Sequence, residues 1–228
     1  MKLQRQFDEM EKNENASICV HTVRHIKEDG TLLDTQYPAG PIDQNILYGA
    51  EAIKTIVDYE MYPFQTSSFF CRMSYMREII EGNLPDFMQV SPVGDVPLLL
   101  YLASEGEIIY IPEVMSCYRL QSVGSWNMSL YKSGGKRIAE YKKEIASYIL
   151  YDVYTEGEYS KYMERAIDHF WFRIYQLERK YKDMVDKKYR FMLKKESPKQ
   201  QLYYYIMGYF PWLRKYWKRK RSRDGKQF

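Results

Sequence analysis

The run Val96-Pro97-Leu98-Leu99-Leu100-Tyr101-Leu102-Ala103 constrains this chain more than any other stretch. It carries Asp95 at its head and is followed by a turn at Ser104 to Gly106 and a β-prone run, Ile108-Ile109-Tyr110-Ile111-Pro112. So apolar a helix must bury against a sheet, and the strand behind it returns the chain across that sheet. An acidic residue at the head of such a helix holds a carboxylate at the rim of the core, where backbone N–H groups and a substrate both reach it. A general base fits there. The polar segment Tyr118-Arg119-Leu120-Gln121-Ser122-Val123-Gly124-Ser125-Trp126 then follows, placed to close over whatever the carboxylate faces.

With 228 residues the chain buries a core in one domain, or in one domain with an extension. Its 45% hydrophobic and 28% charged residues are those of a folded globular protein. The 23 tyrosines favour broad, partly wet interfaces over a dry aliphatic core. A formal net charge of +4 hides an uneven distribution, because Arg214, Lys215, Lys218, Arg219, Lys220, Arg221 and Arg223 stand in one terminal run. Cys19, Cys71 and Cys117 are odd in number and widely spaced, each beside apolar or β-prone residues, which reads as buried free thiols in a reducing compartment, with neither a disulfide framework nor zinc spacing. No apolar run is long enough to cross a bilayer and the N-terminus lacks the apolar stretch of a signal peptide, so a cytoplasmic location is expected.

In chain order, Lys2 to Lys12 reads as a short amphipathic helix, and Ser17 to Ile26 as a strand that turns through Glu28-Asp29-Gly30-Thr31 into Leu32-Leu33 as a hairpin. His21 and His25 share a strand face, but no third metal ligand is spaced to join them, and they read as ordinary strand positions. Asp34 to Tyr48 reads as a long loop, Ala50 to Tyr59 as a helix, and Phe64 to Arg72 as a strand whose start is rich in hydroxyls. Ser74 is placed to cap a helix ending at Gly82, with Asn83 to Val93 as a loop. Gly134-Gly135 marks a boundary, so residues 1–130 and 131–228 read as a catalytic portion and a helical extension. Ile138 to Tyr151 reads as a helix, and the spacing of Tyr159, Met163, Ile167, Phe170, Ile174, Leu177, Tyr181 and Met184 predicts one long amphipathic helix.

The stretches Lys2-Leu3-Gln4-Arg5-Gln6, Cys19-Val20-His21, Thr66-Ser67-Ser68-Phe69-Phe70-Cys71-Arg72, Gly94-Asp95 and Tyr118 to Trp126, in that order, resemble the family 2 glycosyltransferases of bacteria. The resemblance spans roughly Met1 to Trp126. It implies an α/β fold, the Rossmann-like GT-A sandwich, that is incomplete here, because the chain opens just after the family's Asp-x-Asp metal site and lacks the nucleotide-binding half. On that reading the sequence is a fragment, or a split or decayed enzyme, followed by an α-helical C-terminal extension.

The resemblance further implies that Asp95 is the catalytic base of an inverting transfer from a nucleotide-sugar to a glycan or lipid-linked acceptor, with a divalent cation, Mn or Mg, serving the complete enzyme. Gly94 beside it, Ser67, Ser68 and Arg72 on the acceptor side, and Arg119, Gln121, Ser122, Gly124, Ser125 and Trp126 over the diphosphate match its substrate-binding positions. Gln121 stands where many relatives carry a His that completes the metal site, and an amide is a poorer ligand for a divalent cation. Each position has a plainer alternative. Asp95 also suits a helix N-cap, Ser67, Ser68 and Arg72 a buried strand, and Ser122 to Ser125 a turn.

A second reading, of another class, is a non-catalytic remnant that binds acceptor or tethers to membrane. In Tyr203 to Trp212 and the basic run behind it, aromatic rings and cations suit the anionic inner face of the plasma membrane, while packing of the rings on the long helix is the alternative. Nucleic-acid binding through the same basic end, with Tyr216 and Trp217 as stacking rings, is the least favoured.

Overall fold

The computed structural model describes residues 1–58, 64–120 and 134–213. It divides into two compact bodies, residues 1–167 and 168–228. The fold is mixed α/β.

Strand β1 (Ala16–Ile26) is the centre of the first body and is buried along almost all of its length. One of its edges pairs in parallel with β5 (Glu107–Arg119). It also pairs antiparallel with β4 (Phe70–Cys71) at Ile18 and Cys19, and with β2 (Leu32–Tyr37) from Val23 to Ile26. The short β3 (Ile46–Leu47) lies antiparallel on the outer edge of β5, completing a five-stranded mixed sheet. A strand covered on both faces reads as continuously apolar, and Ile18, Cys19, Val20 and Val23 are fully buried. Two of the buried polar members of β1 bond across the sheet layers: the Ser17 hydroxyl donates to the Leu102 carbonyl at 2.7 Å, and Thr22 Oγ1 meets the Tyr110 hydroxyl at 2.7 Å.

Helix α1 (Lys2–Lys12) lies against the sheet through Met10 and the fully buried Gln6. The Gln6 amide donates to the carbonyls of Cys19 at 3.0 Å and Ser68 at 2.7 Å, tying helix, central strand and the turn before β4 together. Helix α2 (Gly49–Val57) follows β3, and α3 (Met73–Ile80) follows β4. A short α4 (Asp86–Val90) occupies the middle of the stretch expected to be loop.

Helix α5 (Asp95–Glu105) buries Leu99, Leu100, Tyr101, Leu102 and Ala103 and packs on α2, β1 and β5. It passes into β5 through Gly106 alone. There the Glu107 N–H donates to the Asn15 carbonyl at 3.0 Å, and a Cβ on Gly106 would stand 2.5 Å from that oxygen. Further along, β5 slips against β1, with Ile111 opposite His21 but Val114 opposite Thr22. The residues set aside are Pro112 and Glu113, and a bulge is where a strand accommodates proline, which has no N–H for the ladder.

Helix α6 (Gly134–Tyr154) packs on α4 and α5: the Ser147 hydroxyl donates to the Phe87 carbonyl at 2.7 Å and the Tyr151 hydroxyl to the Leu100 carbonyl at 3.3 Å. Helix α7 (Ser160–Glu178) contains the division between the two bodies. The second body continues through α8 (Tyr181–Met184), α9 (Arg190–Leu193) and α10 (Pro198–Tyr209) around Phe172, Met184, Val185, Tyr189, Met192, Leu193 and Tyr204. Lys188 Nζ lies 2.6 Å from the largely buried Asp168 carboxylate.

Of the three thiols expected to be buried only Cys19 is, since Cys71 lies on a two-residue strand and is half-buried and Cys117 is exposed near the end of β5. Four further local expectations are corrected. The apolar stripe from Tyr159 to Met184 is two helices, because Arg179 adopts φ 58 and the chain closes α7 with Arg179 N–H to Gln176 O and Lys180 N–H to Tyr175 O, a Schellman ending without glycine. Phe64 to Arg72 keeps only two strand residues, since the Gln65 side chain accepts from Thr66 N–H and the Ser68 hydroxyl donates to Gln65 O, winding Thr66–Ser68 into a 3-10 turn. Arg72, not Ser74, precedes the first turn of α3, which ends at Ile80. The loop expected from Asp34 begins only after Tyr37, because β2 runs on to pair Tyr37 with Val23.

Substituting Gly106→Ala should cost about 2 kcal/mol of unfolding free energy in urea, because a Cβ there displaces the Asn15–Glu107 junction. Gly135→Ala, in open space in the first turn of α6, should be neutral or slightly stabilising. Equal effects of the two substitutions would show that the junction is not tightly packed.

Candidate functional site

Asp95 opens α5, preceded by the exposed Gly94, and its own Oδ1 accepts the Val96 N–H at 2.9 Å. The carboxylate is half-buried and sits in the positive field of a helix N-terminus. The C-terminus of α5 is pinned beside the start of β1, where Ser17 bonds Leu102. Asp95 stands at the other end of this 11-residue helix, about 16 Å away along its axis.

A second carboxyl group meets Asp95 there. Tyr154 bonds Glu105 and Tyr151 bonds Leu100, so the two helices run in the same direction, and Glu144, seven residues before Tyr151, comes beside Asp95, five residues before Leu100. Glu144 shares its side of α6 with the buried Ser147, Tyr148 and Tyr151. Burial, then the Asp95 charge, then Glu140 push the Glu144 carboxyl up to about 8. At neutral pH Asp95 therefore faces mostly a carboxylic acid and not a second carboxylate. Glu140 is balanced in turn by Lys143 at 3.3 Å. Sequence reasoning missed Glu144, although a carboxylate inside the apolar stripe of Ile138, Tyr141, Ile145, Tyr148 and Tyr151 was a readable signal.

The remaining expected site residues lie in three other places. Ser67 is exposed on the 3-10 turn, with its hydroxyl 3.3 Å from that of Ser116 and its carbonyl accepting from Lys2 Nζ. Ser68, on the same turn, is buried. Arg72 stands at the α1–β1 corner, donating to the carbonyls of Ala16 at 2.9 Å, Met10 at 2.6 Å and Asn13 at 3.1 Å. Arg119 closes the β1–β2 turn, donating to Lys27 O at 3.0 Å and to Glu28 O. Gln121, Ser122, Gly124, Ser125 and Trp126 lie outside the described residues.

His21 and His25 are both buried on β1 and both held below the ordinary histidine range by burial. His21 Nδ1 lies 2.8 Å from Thr22 O, and His25 Nδ1 2.8 Å from Thr35 Oγ1. Among the described residues no three His, Cys, Asp or Glu side chains converge on a metal-sized site. The Asp95–Glu144 pair offers two carboxyls of which one is mostly protonated, a poor donor set for a divalent cation. A groove of about 210 Å³ between α1 and the β3–β5 edge, lined in part by Arg5, Glu9 and Glu113, does not include Asp95. No protein-family model and no curated protein matches the chain.

Glu144 makes stability depend on pH with a defined sign. Its carboxyl lies near 4.5 ordinarily and about 8 in the fold, so between those values the folded state holds a proton that the unfolded state has released. Stability from this group is therefore full below pH 4.5 and falls as pH rises toward 8. Glu144→Gln should be more stable than the parent at pH 8 by on the order of 2 kcal/mol, and the difference should vanish toward pH 4.5. Urea unfolding across that range checks it, and a pH-independent difference would contradict the assignment.

Proposed function

We propose that the first body is the acceptor side of an inverting GT-A glycosyltransferase, one that moves a sugar from a nucleotide-sugar onto a glycan or lipid-linked acceptor in bacterial cell-surface polysaccharide synthesis. The observation that carries this reading is the half-buried Asp95 carboxylate at the N-terminus of α5, the helix that leads directly into β5, the parallel neighbour of β1. The order of motifs from Lys2 to Arg119 that resembles the family supports it.

In that reaction an acceptor hydroxyl attacks the anomeric carbon while the bond to the diphosphate breaks on the opposite face. The proton passes to an Asp95 carboxylate oxygen as the new C–O bond forms, and the electron pair of the broken bond leaves on the diphosphate. The N-terminal field of α5 and the Val96 N–H fix the direction of the Asp95 carboxyl. A mostly neutral Glu144 keeps a second negative charge away from the incoming donor diphosphate. Ser67 and Ser116, exposed and half-buried hydroxyls on neighbouring elements, suit recognition of sugar hydroxyls.

In the enzyme with its donor-binding half in place, Asp95→Asn should reduce kcat by about 100- to 10,000-fold while leaving the KM for acceptor nearly unchanged, because the amide keeps the shape and loses the proton acceptor. Steady-state transfer assays measure both constants. Turnover near that of the parent would remove Asp95 from the chemistry, and loss of acceptor binding with an unchanged rate would favour the non-catalytic, acceptor-binding alternative.

A further inference from the structure

Helix α10 begins at a fixed point, because Ser197 and Gln200 form a reciprocal capping box ahead of Pro198. Its rotation is fixed as well. Tyr204 accepts from the Gln176 amide at 2.8 Å, and a Cβ on Gly208 would stand 3.0 Å from the Tyr181 carbonyl. Tyr204, Met207 and Gly208 are accordingly buried. At 3.6 residues per turn another side carries Leu202, Tyr205 and Tyr209, exposed by 61%, 38% and 65%, and past the helix end Trp212 is exposed by 63%. The Tyr205 and Tyr209 rings lie parallel, with centroids 6.4 Å apart, and Phe210 adds a further ring at 50% exposure. No acidic residue occurs between Ser197 and Arg223, and the sequence after Leu213 supplies Arg214, Lys215, Lys218, Arg219, Lys220, Arg221 and Arg223.

We infer that this face of α10 docks on an anionic lipid bilayer, with its tyrosine rings and Trp212 at the headgroup level, and that the basic composition of the sequence that follows adds attraction to the lipid phosphates. Aromatic side chains with one polar end favour that depth, and each basic residue beside an anionic surface adds to the attraction. A second copy of the chain is a poorer occupant, because a two-fold contact would bring two such basic runs together. A nucleic acid would use the rings and charges but gains nothing from Leu202. The surface spans no membrane, since no described helix is long and apolar enough to cross one. The inference rests on the second body alone and stands apart from the glycosyl-transfer reading.

Co-sedimentation of the whole chain with vesicles of phosphatidylcholine, with and without about a quarter phosphatidylglycerol, tests it. Binding to the anionic vesicles should be at least about tenfold tighter than to the neutral ones and should weaken as salt is raised. The double variant Tyr209→Ser, Trp212→Ser should bind anionic vesicles about tenfold more weakly or worse, with an unchanged unfolding midpoint because both rings are exposed. Equal binding of the double variant, or equal binding to neutral vesicles, would overturn the proposal. Retention of a polyuridine probe that the same variant abolishes would assign the face to nucleic acid instead, and a concentration-dependent dimer dispersed by the variant would assign it to a second copy.

Discussion

The carbonyl of Asn15 holds the first body together at its tightest point. It accepts the Glu107 N–H where the chain leaves α5, and it leaves room at Gly106 for nothing larger than hydrogen. From that junction β1 and β5 set off in parallel, and α5 packs on both. The position of Asp95 follows from this geometry: a rigid helix, pinned at its C-terminal end by the Ser17–Leu102 hydrogen bond, determines where its N-terminal carboxylate sits. A parallel pair needs a long connection, and residues 27–106 supply it, adding β2, β4 and β3 to the same sheet on the way.

Around that frame the long polar side chains mostly satisfy backbone. Gln6 serves two carbonyls, Arg72 three and Arg119 two, each joining segments far apart in sequence. A buried backbone carbonyl without a donor costs free energy comparable to a lost hydrogen bond, so an arginine at such a corner stabilises the fold there. Asp95 differs, because its described hydrogen bond is to the adjacent amide. The group facing it from α6 is an acid that holds its proton to about pH 8. Burial, with the Asp95 charge nearby, is what raises the Glu144 carboxyl and keeps its proton in place.

The sequence by itself determined the elements whose burial is regular. The β-prone run at 17–26, the apolar helix behind Asp95, the start of the strand after Gly106 and the helix around Ile145 stand where their periodicity puts them, within a few residues, but that strand runs on seven residues past Pro112 and takes in Tyr118 and Arg119 from the expected polar segment. Their side chains need the same neighbours whichever way the rest of the chain runs, so local pattern suffices. Asp95 as a half-buried carboxylate at a helix head was legible for the same reason.

Tertiary structure decided the rest. Periodicity from Tyr159 to Met184 could not show the break at Arg179, because α7 and α8 pack on one core and the apolar spacing runs straight through it. It could not show that Arg72 would be drawn to the α1–β1 corner, since the three carbonyls it meets come from residues 10 to 16. Nor could it pair Asp95 with Glu144, which stands 49 positions further along the chain. That pairing depends on the register of α6 against α5, set by the Tyr151 hydroxyl on the Leu100 carbonyl. Helix and strand signals are local sums over neighbouring residues, whereas the charge that one carboxyl feels from another depends on distance and burial in the folded chain, and those exist only once the helices have packed.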